Sequence, residues 1–500
     1  MRDDRYSRLI ATLRQHADLA GALRLLEWDQ ETFMPAGALD SRARQIGALA
    51  ALLHERQTDP RFLDIVDELA ADASACDAAQ AVDVRETKWR LDRERRLDAG
   101  LVHERSILHA QARGAWIGAR RDNDFPALAP SLARIVAMER RVAAAIDANR
   151  DPYDVLLEGY EPGTSVADID PIFSTLRDGL LPLIDRLKAC LARRPLDATA
   201  LCGDFPLDAQ RRFSRLVVER LGFDFGRGRL DEAAHPFTTT IGQDIRLTTR
   251  YDARDLRYAL YSTLHEMGHG LYEQGLDLNA WGTPRGLACS LGIHESQSRL
   301  WENQVGRSAG FWRAILPLAR ELFPMLAHTT LEAILLAVNA ARPSLIRTEA
   351  DEITYNLHII LRFELERALI DGSLAVADLP AAWQTKMQHY LGIAPENDRD
   401  GVLQDVHWAS GDIGYFPTYA LGNIYAAQLM GAAEAALGPS DALLAAGEFG
   451  VLLGWLRAHV HRRGQTYRAP ALIEAVTGEP PTPQPLLEHL QRRVAFLESA

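Results

Sequence analysis

The chain has 500 residues, enough for about three domains or for one large helical unit that encloses a cleft. Its 47% hydrophobic and 25% charged residues are typical of a globular protein with a sizeable core, which excludes a largely disordered chain. The net charge of −13 disfavours a nucleic-acid partner, because binding to phosphates requires a basic face.

The N-terminal residues and the cysteines indicate the cellular compartment of the protein. The opening residues lack the apolar run of a signal peptide, and no stretch reaches the roughly 18 apolar residues of a membrane span. Neither a disulfide framework nor a thiolate metal site is indicated, because no C-x-x-C pair occurs among Cys76, Cys190, Cys202 and Cys289. We therefore expect a cytoplasmic protein with reduced cysteines and no membrane partner.

Helical periodicity dominates the chain. Apolar residues recur at intervals of three and four over residues 82–121, 168–194, 331–372 and 485–500, which predicts long helices. We find no repeat of fixed period and no long linker rich in Gly, Ser or Pro. The sequence therefore favours one continuous α-rich unit, with two lobes around a groove as its natural arrangement.

One segment, HPFTTTIGQDIRLTTRYD at residues 235–252, predicts β-structure. Threonines and alternating residues flank Ile241-Gly242-Gln243, a pattern that indicates a hairpin turn. After the turn, alternate residues of 244–249 are expected to face opposite sides of a strand. We expect a single small sheet in an otherwise helical protein.

The segment STLHEMGHGLYEQG at residues 262–275 contains the motif H-E-x-x-H. We expect it in the middle of a helix that begins near Ala253. His265 and His269 are four residues apart, so both imidazoles lie on one helical face and can bind one metal ion. Glu266 lies about 100° around the helix, where it can act as general base on a metal-activated water.

The motif alone is not specific, because it arises by chance in roughly 3% of chains with this composition. A second predicted helix, LGIHESQSRLWENQ at residues 291–304, offers a third ligand. His294 and Glu295 are both candidates, but adjacent helical residues point in different directions, so only one should bind the metal. The spacing does not choose between them, and a solvated Glu295 is the ordinary alternative.

Six short motifs follow one another in the sequence, and together they are more specific than any single one. They are HPF at 235–237, DIRLT at 244–248, HEMGH at 265–269, HES at 294–296, IRTEAD at 346–351 and GVLQDVHW at 401–408. In these motifs, and in WDQETFMP at 28–35, the chain resembles the carboxypeptidase Taq family of metallocarboxypeptidases over most of its length.

This resemblance implies an all-α, neurolysin-like fold around a deep substrate groove, with the small β-sheet next to the active site. It implies a single unit over residues 1–500, with approximately 1–125 as an N-terminal helical lid and 126–500 as the catalytic body. It favours Glu295 over His294 as the third ligand of Zn²⁺, beside His265 and His269. Co²⁺ or Mn²⁺ are possible substitutes. It also implies a homodimer.

The segment GVLQDVHWASGDIGYFPTYALGN at residues 401–423 offers donors for an oxyanion. Asp405 and Asp412 are both candidates to orient His407, and Tyr415 and Tyr419 supply phenol groups. Without the resemblance, the segment predicts a surface loop held in place by aromatic side chains. With the resemblance, His407 and Tyr419 are the predicted transition-state stabilisers.

An exopeptidase must also recognise a chain end. The guanidinium of Arg347 can bind a terminal carboxylate through two parallel hydrogen bonds. The ordinary alternative is an Arg347–Asp351 salt bridge on a helix that begins near Pro343. The resemblance favours the substrate role.

The β-segment has a possible substrate role of its own. If residues 244–249 form an edge strand, an extended peptide can pair with it, which makes Asp244 and Arg246 candidates for substrate binding. A hairpin that only packs on helices is an equally good interpretation.

The leading interpretation is a metal-dependent carboxypeptidase that releases C-terminal amino acids from peptides with broad specificity. A zinc oligoendopeptidase with a more open groove is the alternative enzyme. A non-catalytic helical scaffold that binds peptides is the alternative of another class, and the presence of Glu266 and all three proposed ligands argues against it.

Overall fold

The computed structural model describes residues 2–72 and 76–500, which form helices and one small sheet. Among these residues, no helix is long and apolar enough to cross a membrane. The all-α class predicted from the periodicity is confirmed. The α-helices are α1 (Arg2–Thr32), α2 (Leu39–Gln57), α3 (Pro60–Ala71), α4 (Ala78–Arg95), α5 (Ala99–Asp122), α6 (Phe125–Asp147), α7 (Pro152–Leu157), α8 (Val166–Arg193), α9 (Leu207–Arg220), α10 (Leu256–Gly275), α11 (Leu291–Arg299), α12 (Ala309–Leu322), α13 (Leu331–Asn339), α14 (Tyr355–Asp371), α15 (Leu379–Leu391), α16 (Pro417–Leu437), α17 (Ser440–Ala445), α18 (Phe449–His459), α19 (Ala469–Thr477) and α20 (Gln484–Ser499).

The predicted helical stretches are present, with one clear error. Residues 331–372 form two helices, α13 and α14, separated by irregular chain and a short 3₁₀ turn at Arg347–Glu349. The helix predicted to begin near Pro343 is therefore wrong. The Asp351 carboxylate accepts the backbone N–H groups of Ile353 (2.9 Å) and Thr354 (3.1 Å), which delays the start of α14.

The sheet has three strands, β1 (Gly228–Glu232), β2 (Thr238–Ile241) and β3 (Asp244–Thr249), in the order β1-β3-β2. β2 and β3 form the predicted antiparallel hairpin. β1, which the pattern did not predict, pairs parallel to β3. β3 is therefore the central strand, so the prediction that residues 244–249 form an edge strand is wrong. The outer strand of the hairpin is β2.

The apolar interior is divided into two clusters. The main core takes side chains from α5 through α20 and from β3. A smaller cluster joins α1, α3 and α4 through Leu9, Phe62, Val66, Leu69, Val84 and Leu91. The N-terminal helices thus have a core of their own, whereas α5 contributes to the main core. The division into a lid at 1–125 and a body stays a prediction.

Polar contacts join α1 to the rest of the molecule. The Arg14 guanidinium donates to the carbonyl of Trp281 (3.2 Å), and that of Arg24 donates to the carbonyl of Thr240 in β2 (2.9 Å). The Trp28 ring lies under the guanidinium of Arg246, 4.1 Å from its centroid. These contacts place α1 along the open side of β2.

A glycine lets α10 and α11 approach at backbone distance. A Cβ atom on Gly268 would lie 2.5 Å from the carbonyl oxygen of Gln297 and 2.5 Å from the Cα of Ser298. Both atoms belong to the backbone of α11, so neither can move aside alone. The close packing of these two helices therefore depends on Gly268.

We expect Gly268→Ala to lower the free energy of unfolding by about 1–3 kcal/mol, because the methyl group overpacks this crossing. Gly431→Ala is the matched control: Gly431 also lies inside a helix, but a Cβ there meets nothing within 4 Å. The control should be neutral or slightly stabilising, since alanine favours helix. Thermal unfolding of both variants measures the difference, and equal shifts would contradict the packing argument.

Candidate metal centre

Helix α10 places the H-E-x-x-H motif in its middle, as predicted. The helix begins at Leu256 because the Asp255 side chain accepts the backbone N–H of Arg257 (2.9 Å). The predicted start near Ala253 is therefore three residues too early. The helix ends at Gly275, so the motif lies about two and a half turns from its start and just under two turns from its end.

Two histidines and one glutamate converge on a single point. The ligand atoms of His265, His269 and Glu295 all lie within 4.8 Å of one another. The Nε2 atoms of His265 and His269 are 3.6 and 3.5 Å from Oε2 of Glu295. Two imidazole nitrogens and one carboxylate are the donor set of catalytic zinc sites, in which a fourth position is open to water. The residues therefore fit a divalent metal ion.

Each imidazole is oriented by a hydrogen bond on its other nitrogen. Nδ1 of His265 lies 2.9 Å from Oε2 of Glu302. Nδ1 of His269 lies 2.6 Å from Nδ1 of His294, whose Nε2 in turn lies 2.9 Å from Oε1 of Glu273. Such partners fix the ring and increase its basicity toward a metal. His294 thus contacts a candidate ligand and is not part of the three-residue cluster.

Arg299 binds two carboxylates of the centre, those of Glu295 and Glu302. Its Nε donates to Oε1 of Glu295 (2.7 Å) and its Nη1 to Oε2 of Glu302 (3.1 Å). Burial disfavours the charged form of Glu302, but Arg299 and His265 hold its pKa at about 2. A π-helical segment, Leu300–Val305, carries Glu302 to the side of His265.

The centre favours positive charge. Burial lowers the pKa of His265, but Glu295 and Glu302 outweigh it and raise the value to about 9. Carboxylates that stabilise an imidazolium here also stabilise a bound cation.

Glu266 lies beside the cluster and is buried, with 7% of its surface exposed. The Thr238 hydroxyl is 2.7 Å from its Oε2 and 2.9 Å from its carbonyl oxygen, so one hydroxyl links this residue to β2. Burial raises the pKa of Glu266, while His265 and Thr238 lower it. Sequence reasoning missed Thr238, although it lies in the threonine-rich strand that predicted the hairpin.

His407 and Tyr419, the predicted transition-state stabilisers, are neighbours in the structure. The Tyr419 hydroxyl lies 3.4 Å from Nε2 of His407, and Nδ1 of His407 lies 3.8 Å from Asp405. Burial lowers the pKa of His407 to about 4, against the effect of Asp405, so the imidazole is neutral at neutral pH.

Tyr419 also lies close to the metal cluster along α16. It precedes Gly422 by three residues, and the Glu295 side chain packs directly on Gly422. Tyr415 contacts both Tyr419 and His407, with ring centroids 5.3 and 5.4 Å away. The structure thus brings His407, Tyr415 and Tyr419 together on one side of the candidate centre.

Arg347 is buried and is held by Asp405. Its Nε and Nη2 donate to Oδ1 of Asp405 (3.1 and 2.8 Å), and its Nη1 donates to the hydroxyl of Tyr355 (3.2 Å). Arg362 binds the other oxygen of the same carboxylate (2.8 and 2.6 Å). The predicted alternative, an Arg347–Asp351 salt bridge, is not formed, because the Asp351 carboxylate accepts backbone N–H groups in the turn before α14. Two guanidinium groups share one carboxylate, which leaves positive charge for an anion.

Asp244 and Arg246 bind each other. Nη2 of Arg246 lies 2.6 Å from Oδ2 of Asp244, and its guanidinium covers Trp28 of α1. Because β3 is central, these residues do not present a free strand edge to a peptide. Their proposed part in substrate binding stays a prediction.

A cavity of about 380 Å³ adjoins the centre, between α1, β2 and the C-terminal end of α10. Arg24, Thr238, Glu273 and His294 are among its lining residues. It reaches the candidate centre because Thr238 contacts Glu266. A larger cavity of about 420 Å³, between α13, α16 and α20, includes none of the predicted site residues.

The chain is similar to known peptidases over almost its whole length. The sequence model of the Carboxypeptidase Taq (M32) metallopeptidase family matches residues 8–494. Thermostable carboxypeptidase 1 of Thermus thermophilus is 46% identical over 98% of both chains, and Carboxypeptidase 1 of Bacillus subtilis is 37% identical over 97% of both. The crystal structure of an M32 carboxypeptidase from Deinococcus radiodurans is 41% identical, covers 99% of this chain and 100% of its own, and has a TM-score of 0.96. This chain therefore belongs to the carboxypeptidase Taq (M32) family of metallopeptidases and is a metallocarboxypeptidase.

Proposed function

We propose that this metallocarboxypeptidase holds Zn²⁺ with His265, His269 and Glu295 and releases C-terminal amino acids one at a time, with broad specificity. The observation that carries the proposal is the convergence of these three ligand atoms within 4.8 Å. Each imidazole is already oriented by a half-buried partner, Glu302 or His294. Co²⁺ or Mn²⁺ can replace zinc at a site with nitrogen and oxygen donors.

Glu266 is the proposed general base. When bound, the metal supplies Lewis-acid activation of a water molecule and of the scissile carbonyl. The Glu266 carboxylate accepts the proton of the attacking water and delivers it to the leaving amine nitrogen. The Thr238 hydroxyl, 2.7 Å from Oε2, holds the carboxylate in one orientation for both transfers.

His407 and Tyr419 are the proposed donors to the oxyanion of the tetrahedral intermediate. A neutral imidazole and a phenol can each donate one hydrogen bond without placing a full charge near the scissile carbonyl. The burial that lowers the pKa of His407 to about 4 supports this role, because the ring stays neutral over the ordinary pH range.

Arg347 is the proposed partner of the substrate's terminal carboxylate. Its guanidinium lies 5.0 Å from the centroid of the Tyr419 ring, so it adjoins the proposed oxyanion donors. The shared Asp405 neutralises only one of the two guanidinium charges at this end of the site. Asp244 and Arg246 are proposed to contribute to the opposite wall of the groove, since Arg246 contacts Trp28 of α1.

The test uses an N-blocked peptide and its C-terminal amide, incubated with Zn²⁺, with Co²⁺ and with a chelator, and follows the products by mass spectrometry. We expect stepwise loss of C-terminal residues from the free acid alone, abolished by chelator and restored by either metal. Internal fragments from both peptides would indicate an oligoendopeptidase. No cleavage with any metal would indicate a non-catalytic scaffold.

Glu266→Gln is the control for this experiment. It keeps the shape of the side chain and the contact with Thr238 but removes the base. It should lower kcat by about 10²–10⁴-fold, the usual contribution of a general base, with metal content unchanged. An unchanged kcat would assign proton transfer to another residue.

Arg347→Ala should raise KM for free-acid peptides by about 10–100-fold, because hydrogen bonds to a charged group are worth roughly 1.5–3 kcal/mol. Binding of the corresponding amides, measured as inhibition, should change little. Arg362→Gln is the matched control, because it breaks an ion pair with the same Asp405 and leaves Arg347 in place. If Arg347→Ala weakens the binding of free-acid peptides and of their amides to the same extent, Arg347 does not bind the terminal carboxylate.

We also propose a cytoplasmic homodimer. Free thiols at Cys190, Cys202 and Cys289 support a reducing compartment, and the family resemblance supports the dimer. The solution mass from light scattering should be twice the chain mass of 55.5 kDa. A mass equal to one chain would contradict the dimer.

A further inference from the structure

The N-terminus of α11 is held by groups from outside the helix. The first three N–H groups of a helix have no partner within it. Here, each is satisfied by a carbonyl, a carboxylate or a hydroxyl. Leu291 donates to the carbonyl of Tyr160 (3.4 Å), Gly292 to the carboxylate of Glu161, and Ile293 to the hydroxyl of Ser290 (3.1 Å).

Glu161 is an unusual cap because it is a carboxylate with no exposed surface. In the described part of the chain, no arginine, lysine or histidine forms an ion pair with it, and burial raises its pKa to about 7 while Gly292 and Ser290 lower it. Burying a charge without a partner is costly. The compensating positive charge is that of the α11 N-terminus.

The approach of Glu161 to the helix requires a glycine at position 292. A Cβ atom there would lie 2.6 Å from Oε1 of Glu161 and 3.1 Å from its Cδ. Glu295 follows Gly292 by three residues, which is about one helical turn. Any movement of this end of α11 therefore also moves Glu295 and His294 relative to the two imidazoles of α10.

We propose that Glu161 is a positioning residue for the metal centre, acting through the N-terminus of α11. Its hydrogen-bond partner is Gly292, which is not one of the three proposed ligands. Instead it fixes the end of the helix that presents Glu295 to His265 and His269. This inference rests on the ligand set of the proposed function.

Metal affinity and the visible absorption spectrum of the Co²⁺-loaded protein test the inference without reference to turnover. Glu161→Gln keeps the size of the side chain and a hydrogen-bond acceptor for Gly292, but it removes the charge. We expect the affinity for Co²⁺, measured by competition with a chelator, to fall by about 10–100-fold, as for other residues that orient metal ligands. The Co²⁺ absorption bands should shift, and Glu161→Asp, which keeps the charge, should recover part of the affinity.

Glu366→Gln is the matched control. Glu366 is also fully buried and accepts a backbone N–H, from Gly414 at 3.1 Å, but it lies on α14, and its side-chain hydrogen bonds go to Tyr153 and Trp408. The control should lower thermal stability and leave Co²⁺ affinity and spectrum unchanged. An equal loss of affinity in both variants would reduce the effect of Glu161 to general destabilisation and overturn the inference.

Wild-type affinity and spectrum in Glu161→Gln would also overturn it. If that variant does not fold, Gly292→Ala provides the same readout, because its methyl group separates the helix from the carboxylate, and unchanged Co²⁺ binding there would overturn the inference. Failure of the wild-type protein to bind Co²⁺ is a different result, which contradicts the ligand set itself.

Discussion

The candidate centre depends on one guanidinium group, that of Arg299, which binds two carboxylates at once. Glu295 and Glu302 both pair with Arg299, and removing one partner of a buried ion pair costs roughly 3–5 kcal/mol. Arg307 adds a more distant contact to Glu302 (3.7 Å). Arg299 supplies the counter-charge, and the face of Tyr355, 4.4 Å from its guanidinium carbon, supports it from the other side. Arg299 orients the candidate ligand Glu295 directly. Because Glu302 binds His265, Arg299 also orients this second candidate ligand through Glu302.

Close helix packing makes that arrangement rigid. Gly268 lets α10 lie against the backbone of α11, and Gly422 lets α16 lie against the Glu295 side chain. Protein interiors are close-packed, so helices at backbone distance have little freedom to slide. Proposed ligands on α10 and α11, and the proposed oxyanion donor Tyr419 on α16, are thus fixed relative to one another by contacts that involve no ligand chemistry.

Sequence reasoning succeeded where the signal is local. The H-E-x-x-H helix, the hairpin at residues 235–252 and the family were all predicted from short patterns, and the structure and the comparisons confirm them. It failed at partners that are distant in sequence. Arg347 binds Asp405, 58 residues away, and not Asp351, because the chain between α13 and α14 is not helical. β1 was missed for the same reason, since a five-residue strand is defined by its pairing with β3 and not by its own pattern.

The distribution of charge explains why the same fold can act on chain ends. Arg347 and Arg362 share one carboxylate beside Tyr419, which leaves one positive charge in excess there. The cavity beside His294 is lined by Arg24 and Arg227 as well as by Glu273 and Asp277, so the charges of these four side chains balance. In the proposed mechanism, a bound peptide therefore meets an excess of positive charge near Tyr419, where Arg347 is the proposed partner of its terminal carboxylate. Because positive charge attracts a terminal carboxylate and repels a terminal ammonium, this excess would favour one direction of the chain before any side chain is recognised. His407, whose pKa burial lowers to about 4, adds no charge beside Arg347 at neutral pH, so in the proposed mechanism the excess positive charge stays available to the terminal carboxylate. In the proposed mechanism, preference for a free C-terminus thus follows from backbone and charge, which is compatible with broad side-chain specificity.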